Sequence, residues 1–332
     1  MNSSGFIIAL AYPETVVRVS NEWFSPFLRF MGIGKKHYVK AGHAGLVLID
    51  KETGILEYHD FGRYITTQST GRVRGKDTDN ELDFLLKAQI EEGKIKNLDE
   101  ILKFLATNPK LIHGEGKLIA SVCDAIDYDK AIDYITTMQQ RHFIRYGVFI
   151  KGASNCSRFV TTTIIASVTN ESIKKKLIKS TRFTPSTVGN VVIANTGNYI
   201  YEVSDKGEIS KFTSSVKKEN IRCFLDRLKD YEPSLIGNQL PKSVDGVHKK
   251  AQWLGGVGAG AWFELHKTEK KAEFNYRNIA PSGHVNVQDV FVVNDSAFNY
   301  QEGFNFVHYS NCKFFHVEQN DMVFRFDRKF AN

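Results

Sequence analysis

Residues 42–64, GHAGLVLIDKETGILEYHDFGRY, decide the fold. Two apolar runs flank DKETG, so the segment reads as a β-hairpin, with Gly54 supplying the positive φ at the end of its turn. His43 heads the first strand, between Gly42 and Gly45. A titratable ring there, beside small residues that leave room, is a candidate general base. The alternative is a hydrogen-bonded histidine at a strand end. Register selects its partner. If KETG is a four-residue loop, Asp50 faces Ile55, and Asp60 falls opposite Gly45 on the face of His43. One more loop residue puts His59 there instead. The shorter loop, with glycine last, favours Asp60; His59 stays open.

The second informative stretch is residues 152–163, GASNCSRFVTTT. Cys156 follows a Gly/Ala/Ser/Asn run and opens a segment that is apolar on a helical period through Phe159, Val160, Ile164 and Val168. A thiol in the first turn of a helix lies against unsatisfied N–H groups that favour its anion, and the same groups can hold an oxyanion. The alternative is a buried, inert cysteine.

Taken in order, these pieces resemble a known family. A histidine begins a strand, a polar residue follows on the next strand, then come a helical insertion and NCSRFV at 155–160. This order is similar to the circularly permuted branch of the papain-like, NlpC-type cysteine peptidase superfamily, which includes lecithin–retinol acyltransferases and YiiX-like proteins. The resemblance covers roughly residues 5–185. It implies Cys156 as nucleophile, His43 as base and Asp60 or His59 as the third polar residue.

Other polar groups lie near these motifs. Arg63, Arg72 and Arg74 follow the hairpin and are placed to clamp a carboxylate or phosphate, or to pair with the acidic stretch 79–92. Tyr12 on the first strand and Asn155 beside the cysteine join Arg63 as candidate substrate-binding residues.

The rest of the chain divides by texture. GFIIALAY at 5–12 reads as a buried strand, 21–34 and 78–138 as helical (with a helix capped by Asn97), and 143–152 as a strand leading to Cys156. Residues 186–240 read as a hairpin, a helix over 217–229 and a polar linker with Pro233. From Trp253 onward, strand follows strand. The expected fold is α+β: a permuted papain-like domain over 1–185, the connecting region 186–240, and a small all-β sandwich or barrel over 241–332.

Composition removes several alternatives. The 332 residues carry a net charge of +7, which favours acidic partners or reflects a lysine-rich surface. The four cysteines lie far apart, without zinc spacing or a stapled scaffold, and read as reduced thiols. No stretch reaches 18 apolar residues, and the N-terminus lacks a basic leader, so a cytoplasmic protein without a transmembrane segment is expected. GGVGAG at 255–260 precedes a strand rather than a helix, which excludes a dinucleotide fingerprint. Basic residues and aromatics form no concentrated patch, so nucleic acid is not expected. Nothing in the pattern specifies an oligomer.

The expected activity is a thiol hydrolase or acyltransferase needing no cofactor. The resemblance implies a peptide substrate of cell-wall type or an N-acyl or acyl-ester lipid. The rival is a catalytically silent papain-like scaffold whose β-domain docks a partner.

Overall fold

The turn of the hairpin forms as its residues dictate. Asp50 Oδ1 accepts from Glu52 N, and Thr53 Oγ1 donates to Asp50 Oδ2. Gly54 takes φ 68°, which an L side chain resists, and its N–H returns to Asp50 O at 2.9 Å. Asp50 N then meets Ile55 O at 3.1 Å. The four-residue loop fixes the register, with Gly45 opposite Asp60 and Leu46 opposite His59.

In the computed structural model, which describes residues 3–19, 22–35, 37–67, 69–231 and 241–329, this hairpin lies inside an eight-stranded antiparallel sheet. The strand order is Ile144–Arg145, Thr70–Arg74, Leu56–Gly62, His43–Asp50, Gly5–Tyr12, Leu118–Ile126, Tyr201–Val203 and Ile209–Lys211. Gly5–Tyr12 is buried along its whole length because both sheet faces are covered. One face packs Ile7, Ala9, Leu46 and Leu48 against the helices Tyr128–Gln140, Cys156–Ser167, Glu171–Ser180 and Thr187–Ala194. The other packs Ile8, Leu10, Val47 and Tyr58 against the helix Leu98–Thr107.

The second sheet has seven antiparallel strands, from Gln252–Gly255 through Gly260–Lys267, Glu273–Ile279, Val285–Val293, Met322–Arg328 and Phe314–Gln319 to Asn305–Val307. It curls until its two edges meet. The Gln252 carboxamide spans the seam, accepting from Phe306 N and donating to Phe304 O, each at 2.8 Å. Edge backbone groups that would otherwise stand open are paired. The result is a nearly closed barrel filled by stacked phenylalanines, with Phe315 and Phe326 rings 4.5 Å apart.

Several expectations need correction. Residues 78–138 are not continuously helical: Leu118–Ile126 is a strand beside Gly5–Tyr12, with the helices Pro109–Ile112 and Tyr128–Gln140 on either side. Asn97 precedes the helix Leu98–Thr107, but its carboxamide accepts from Gln89 N instead of a helix amide. Between 21 and 34 only Ser25–Phe30 is helical, and between 143 and 152 only Ile144–Arg145 is a strand. The helix expected at 217–229 runs Val216–Phe224. The hairpin Tyr201–Val203/Ile209–Lys211 pairs with Leu118–Ala120 and extends the first sheet. Residues 232–240, including Pro233, lie outside the described residues. Among the described residues, no helix is long and apolar enough to cross a membrane.

Candidate active site

The hairpin register and the Cys156 helix converge on one point. His43 Nε2 lies 3.1 Å from Asp60 Oδ2, and the Cys156 thiol lies beside the same ring. Burial disfavours the charged imidazole. The bonds to Asp60 and Cys156 and their charges outweigh it and raise His43 to about 9.

Asp60 is held from all sides. Its Oδ1 accepts from Arg74 Nε at 3.0 Å, and its Oδ2 accepts from Arg74 NH2 at 2.7 Å. Tyr58 and Tyr64 hydroxyls each donate to Oδ2 at 3.0 Å. Burial opposes ionisation, but the Arg74 charge and the His43 bond hold the carboxyl well below the usual carboxylate range. Gly45 reserves the space this requires, since a Cβ there would lie 2.7 Å from the Tyr58 hydroxyl. Arg74 also stacks over Tyr64, with its guanidinium carbon 4.0 Å from the ring centroid.

Cys156 is the first residue of its helix, and Asn155 caps it. The Asn155 carboxamide is committed at both ends, accepting from Arg158 N at 2.9 Å and donating to Gly147 O at 3.1 Å. Phe159 N reaches Asn155 O. The Cys156 and Ser157 amides lie in the first turn, where a helix supplies no backbone acceptor of its own.

The sequence candidates therefore separate. His43, Asp60 and Cys156 meet, and Arg63 stands near them, stacked 4.4 Å over Tyr146 and donating to Arg18 O at 2.5 Å. Burial pushes Tyr146 up to about 12, aided by the Cys156 charge. Three candidates fall away. His59 points to the opposite sheet face, with its ring 3.4 Å from Glu57 Oε2. Tyr12 is fully buried and spends its hydroxyl on Leu105 O, so it is a core residue. The Asn155 side chain caps the helix instead of meeting substrate. Arg72 pairs with Asp79, at 2.6 Å to each carboxylate oxygen, as the acidic stretch suggests.

Sequence reasoning missed Tyr58, Tyr64 and His113, and it missed the pairing of Arg74 with Asp60. Register on the next strand carries that signal, because Asp60 lies directly opposite Arg74. His113 lies 4.8 Å from the Tyr64 ring, and burial and the nearby Arg74 lower it to about 3, which keeps it neutral.

GGVGAG docks the barrel on this site. Gly258 N donates to Arg63 O at 2.9 Å, and Ala259 bridges Tyr64. A Cβ on Gly256 would lie 2.6 Å from Ile65 N and 2.7 Å from Arg63 O, too close to tolerate. Gly256→Ala is therefore expected to displace residues 63–65, and Tyr64 with them, lowering turnover by up to roughly 10²-fold. Steady-state kinetics beside a thermal melt check this; unchanged turnover would show that the docking is immaterial. Behind Asp60, between the sheet and the barrel, a cavity of about 570 Å³ is lined by Tyr64, Arg74 and His113 on one side and Phe263, Tyr276 and Asn278 on the other.

Comparison with known proteins gives four findings. The C-terminal part matches the model of the DUF6695 C-terminal domain over residues 251–329, which is the barrel. Among solved structures, the crystal structure of the Type VI secretion system effector TseH is similar, at 18% identity and a TM-score of 0.44, covering 63% of this chain and 98% of that one. No curated protein matches. The model of Type VI secretion system effector TseH-like proteins matches residues 7–173, which hold His43, Asp60, Arg74 and Cys156. That match spans half of the chain, and the chain belongs to the TseH-like effector family.

Proposed function

We propose that the protein is a papain-like, cysteine-dependent hydrolase that attacks an amide or ester carbonyl through an acyl-enzyme on Cys156. One observation carries the reading: the His43 ring is hydrogen-bonded to the Asp60 carboxylate and lies beside the Cys156 thiol. Membership of the TseH-like family favours the same class. The chain order His43, Asp60, Cys156 supports the permuted arrangement.

In this mechanism the imidazolium of His43 is the counter-charge for the Cys156 thiolate, the nucleophilic form. The sulfur adds to the carbonyl carbon, and the Cys156 and Ser157 amides receive the oxyanion. His43 then protonates the leaving amine or alcohol as the tetrahedral intermediate collapses. Neutral His43 next takes a proton from water, which attacks the thioester and frees Cys156. An alcohol or amine in place of water would give acyl transfer. Asp60 fixes the tautomer through Nε2.

The test is acylation by p-nitrophenyl acetate. A burst of p-nitrophenolate with an acetyl mass on Cys156 supports the reading; acetylation spread over all four cysteines at equal rates contradicts it. The pH profile adds a signed prediction. His43 keeps its second proton until about pH 9, so activity should fall as pH rises through about 9, when the general acid is lost. The same interactions stabilise the folded state fully below the unfolded value of 6.5 and fade as pH rises through about 9. Asp60→Asn should move the basic limb to lower pH. A limb that stays in place would remove Asp60 from the relay.

A further inference from the structure

An apolar patch that the chemistry does not use packs against the loop that precedes the Cys156 helix. Trp23 is 82% exposed, Phe30 86% and Phe183 72%, with Phe27 and Met31 exposed beside them. In the helix Ser25–Phe30, Leu28 is buried while Phe27 and Phe30 are exposed. Phe149 knits the patch together, with ring centroids 5.1 Å from Phe24, 6.3 Å from Trp23 and 4.9 Å from Phe183.

The patch is tied to the nucleophile's loop. Glu22 accepts from Val148 N at 2.7 Å and from Phe149 N at 2.9 Å. Arg158, on the Cys156 helix, donates to Val148 O at 2.8 Å. The Asn155 side chain holds Gly147 O.

Basic residues outnumber acidic ones in the segments that carry the patch. Residues 18–40 contain Arg18, Arg29, Lys35, Lys36 and Lys40 against Glu22 alone, and Glu22 is buried beneath the aromatics. Lys40 is paired with Asp226 at 2.6 Å. Lys151, Lys179 and Arg182 flank Phe149 and Phe183 in sequence, with no acidic residue in 149–155 or 178–185. Exposed Trp and Phe framed by Lys and Arg match the interface of an anionic bilayer, where rings sit at headgroup depth and each nearby basic residue adds about 1 kcal/mol. An apolar patch this exposed is otherwise a liability.

We propose that the patch around Trp23, Phe30 and Phe183 docks the protein on an anionic lipid surface and brings Cys156, at the end of the adjoining loop, to an acyl ester or amide of a lipid. The substrate half of this statement rests on the thiol-hydrolase reading; the docking half does not.

Flotation of the full chain with vesicles of phosphatidylcholine, with and without phosphatidylglycerol, tests the docking. Binding should require phosphatidylglycerol, weaken in high salt, and shift the Trp23 emission to the blue. Phe27→Ser/Phe30→Ser keeps Trp23 and alters only exposed side chains. It should weaken vesicle binding roughly tenfold or more while iodoacetamide labelling of Cys156 stays unchanged. No binding to either vesicle, or equal binding by the variant, overturns the proposal and assigns the patch to a protein partner. Vesicle binding that persists when Cys156 proves unreactive would sink the hydrolase reading and the lipid substrate, and leave the docking surface standing.

Discussion

Replacing Cys156 by alanine is expected to abolish turnover while leaving the fold and its melting temperature nearly unchanged. The side chain is small, and its sulfur partners a ring already held by Asp60. His43→Ala should cost about as much as Cys156→Ala, because the two act as one unit. Each loss should be on the order of 10⁴- to 10⁶-fold in kcat, and the double variant should be little worse than either alone. Kinetics with an acyl ester substrate, beside circular dichroism of each variant, provide the check. Additive losses would mean that the sulfur and the imidazole work separately.

The second large effect is on stability. Arg74 and Asp60 form a bidentate pair in which both side chains are essentially fully buried. Arg74→Met leaves a buried carboxylate whose remaining partners are His43 and two tyrosines. Breaking one side of such a pair costs roughly 3–5 kcal/mol. Asp60→Asn keeps the shape but strands the guanidinium, and should cost a comparable amount. Together, Arg74→Met and Asp60→Asn remove both charges, so the double variant should be more stable than the sum of its parts. Urea denaturation measures all three. A single Arg74→Met loss below about 1 kcal/mol would show that Tyr58, Tyr64 and His43 suffice to hold the carboxylate, and that the arginine is no anchor.

Much of the site was legible because it depends on local rules. Gly54 and the four-residue turn set the register, and register alone separates Asp60 from His59. The Gly/Ala/Ser/Asn run and the helical period after it put Cys156 in the first turn, whereas the cap made by Asn155 was not read from the sequence. The barrel strands are legible because one face of each packs on a phenylalanine core and the other meets solvent, so the pattern alternates. Leu118–Ile126 hides for the opposite reason. Its central residues are covered on both faces, so LIASVCDAI shows no alternation, and its alanines suit a helix equally well. Thr187–Ala194, inside the region 186–240 where the sequence reading has a hairpin first, is rich in valine and forms a helix whose inner side packs on the sheet. The Arg74 pairing escaped because it depends on a third strand whose connection, residues 63–69, carries no turn signature as plain as that of KETG. Tyr64 and His113 reach the site through tertiary packing between segments about fifty residues apart, which no local pattern encodes.

The central claim is that His43 and Asp60 activate Cys156 alone among four buried cysteines. Burial pushes Cys123 up to about 11 and Cys312 up to about 12, which leaves them as unreactive thiols at neutral pH. The direct measurement is the rate of iodoacetamide alkylation at each cysteine, mapped by mass spectrometry across pH in wild type and in His43→Ala. We predict that Cys156 reacts first at neutral pH and that this preference disappears in His43→Ala. Uniformly slow labelling of all four, or a Cys156 rate indifferent to His43, would contradict the account.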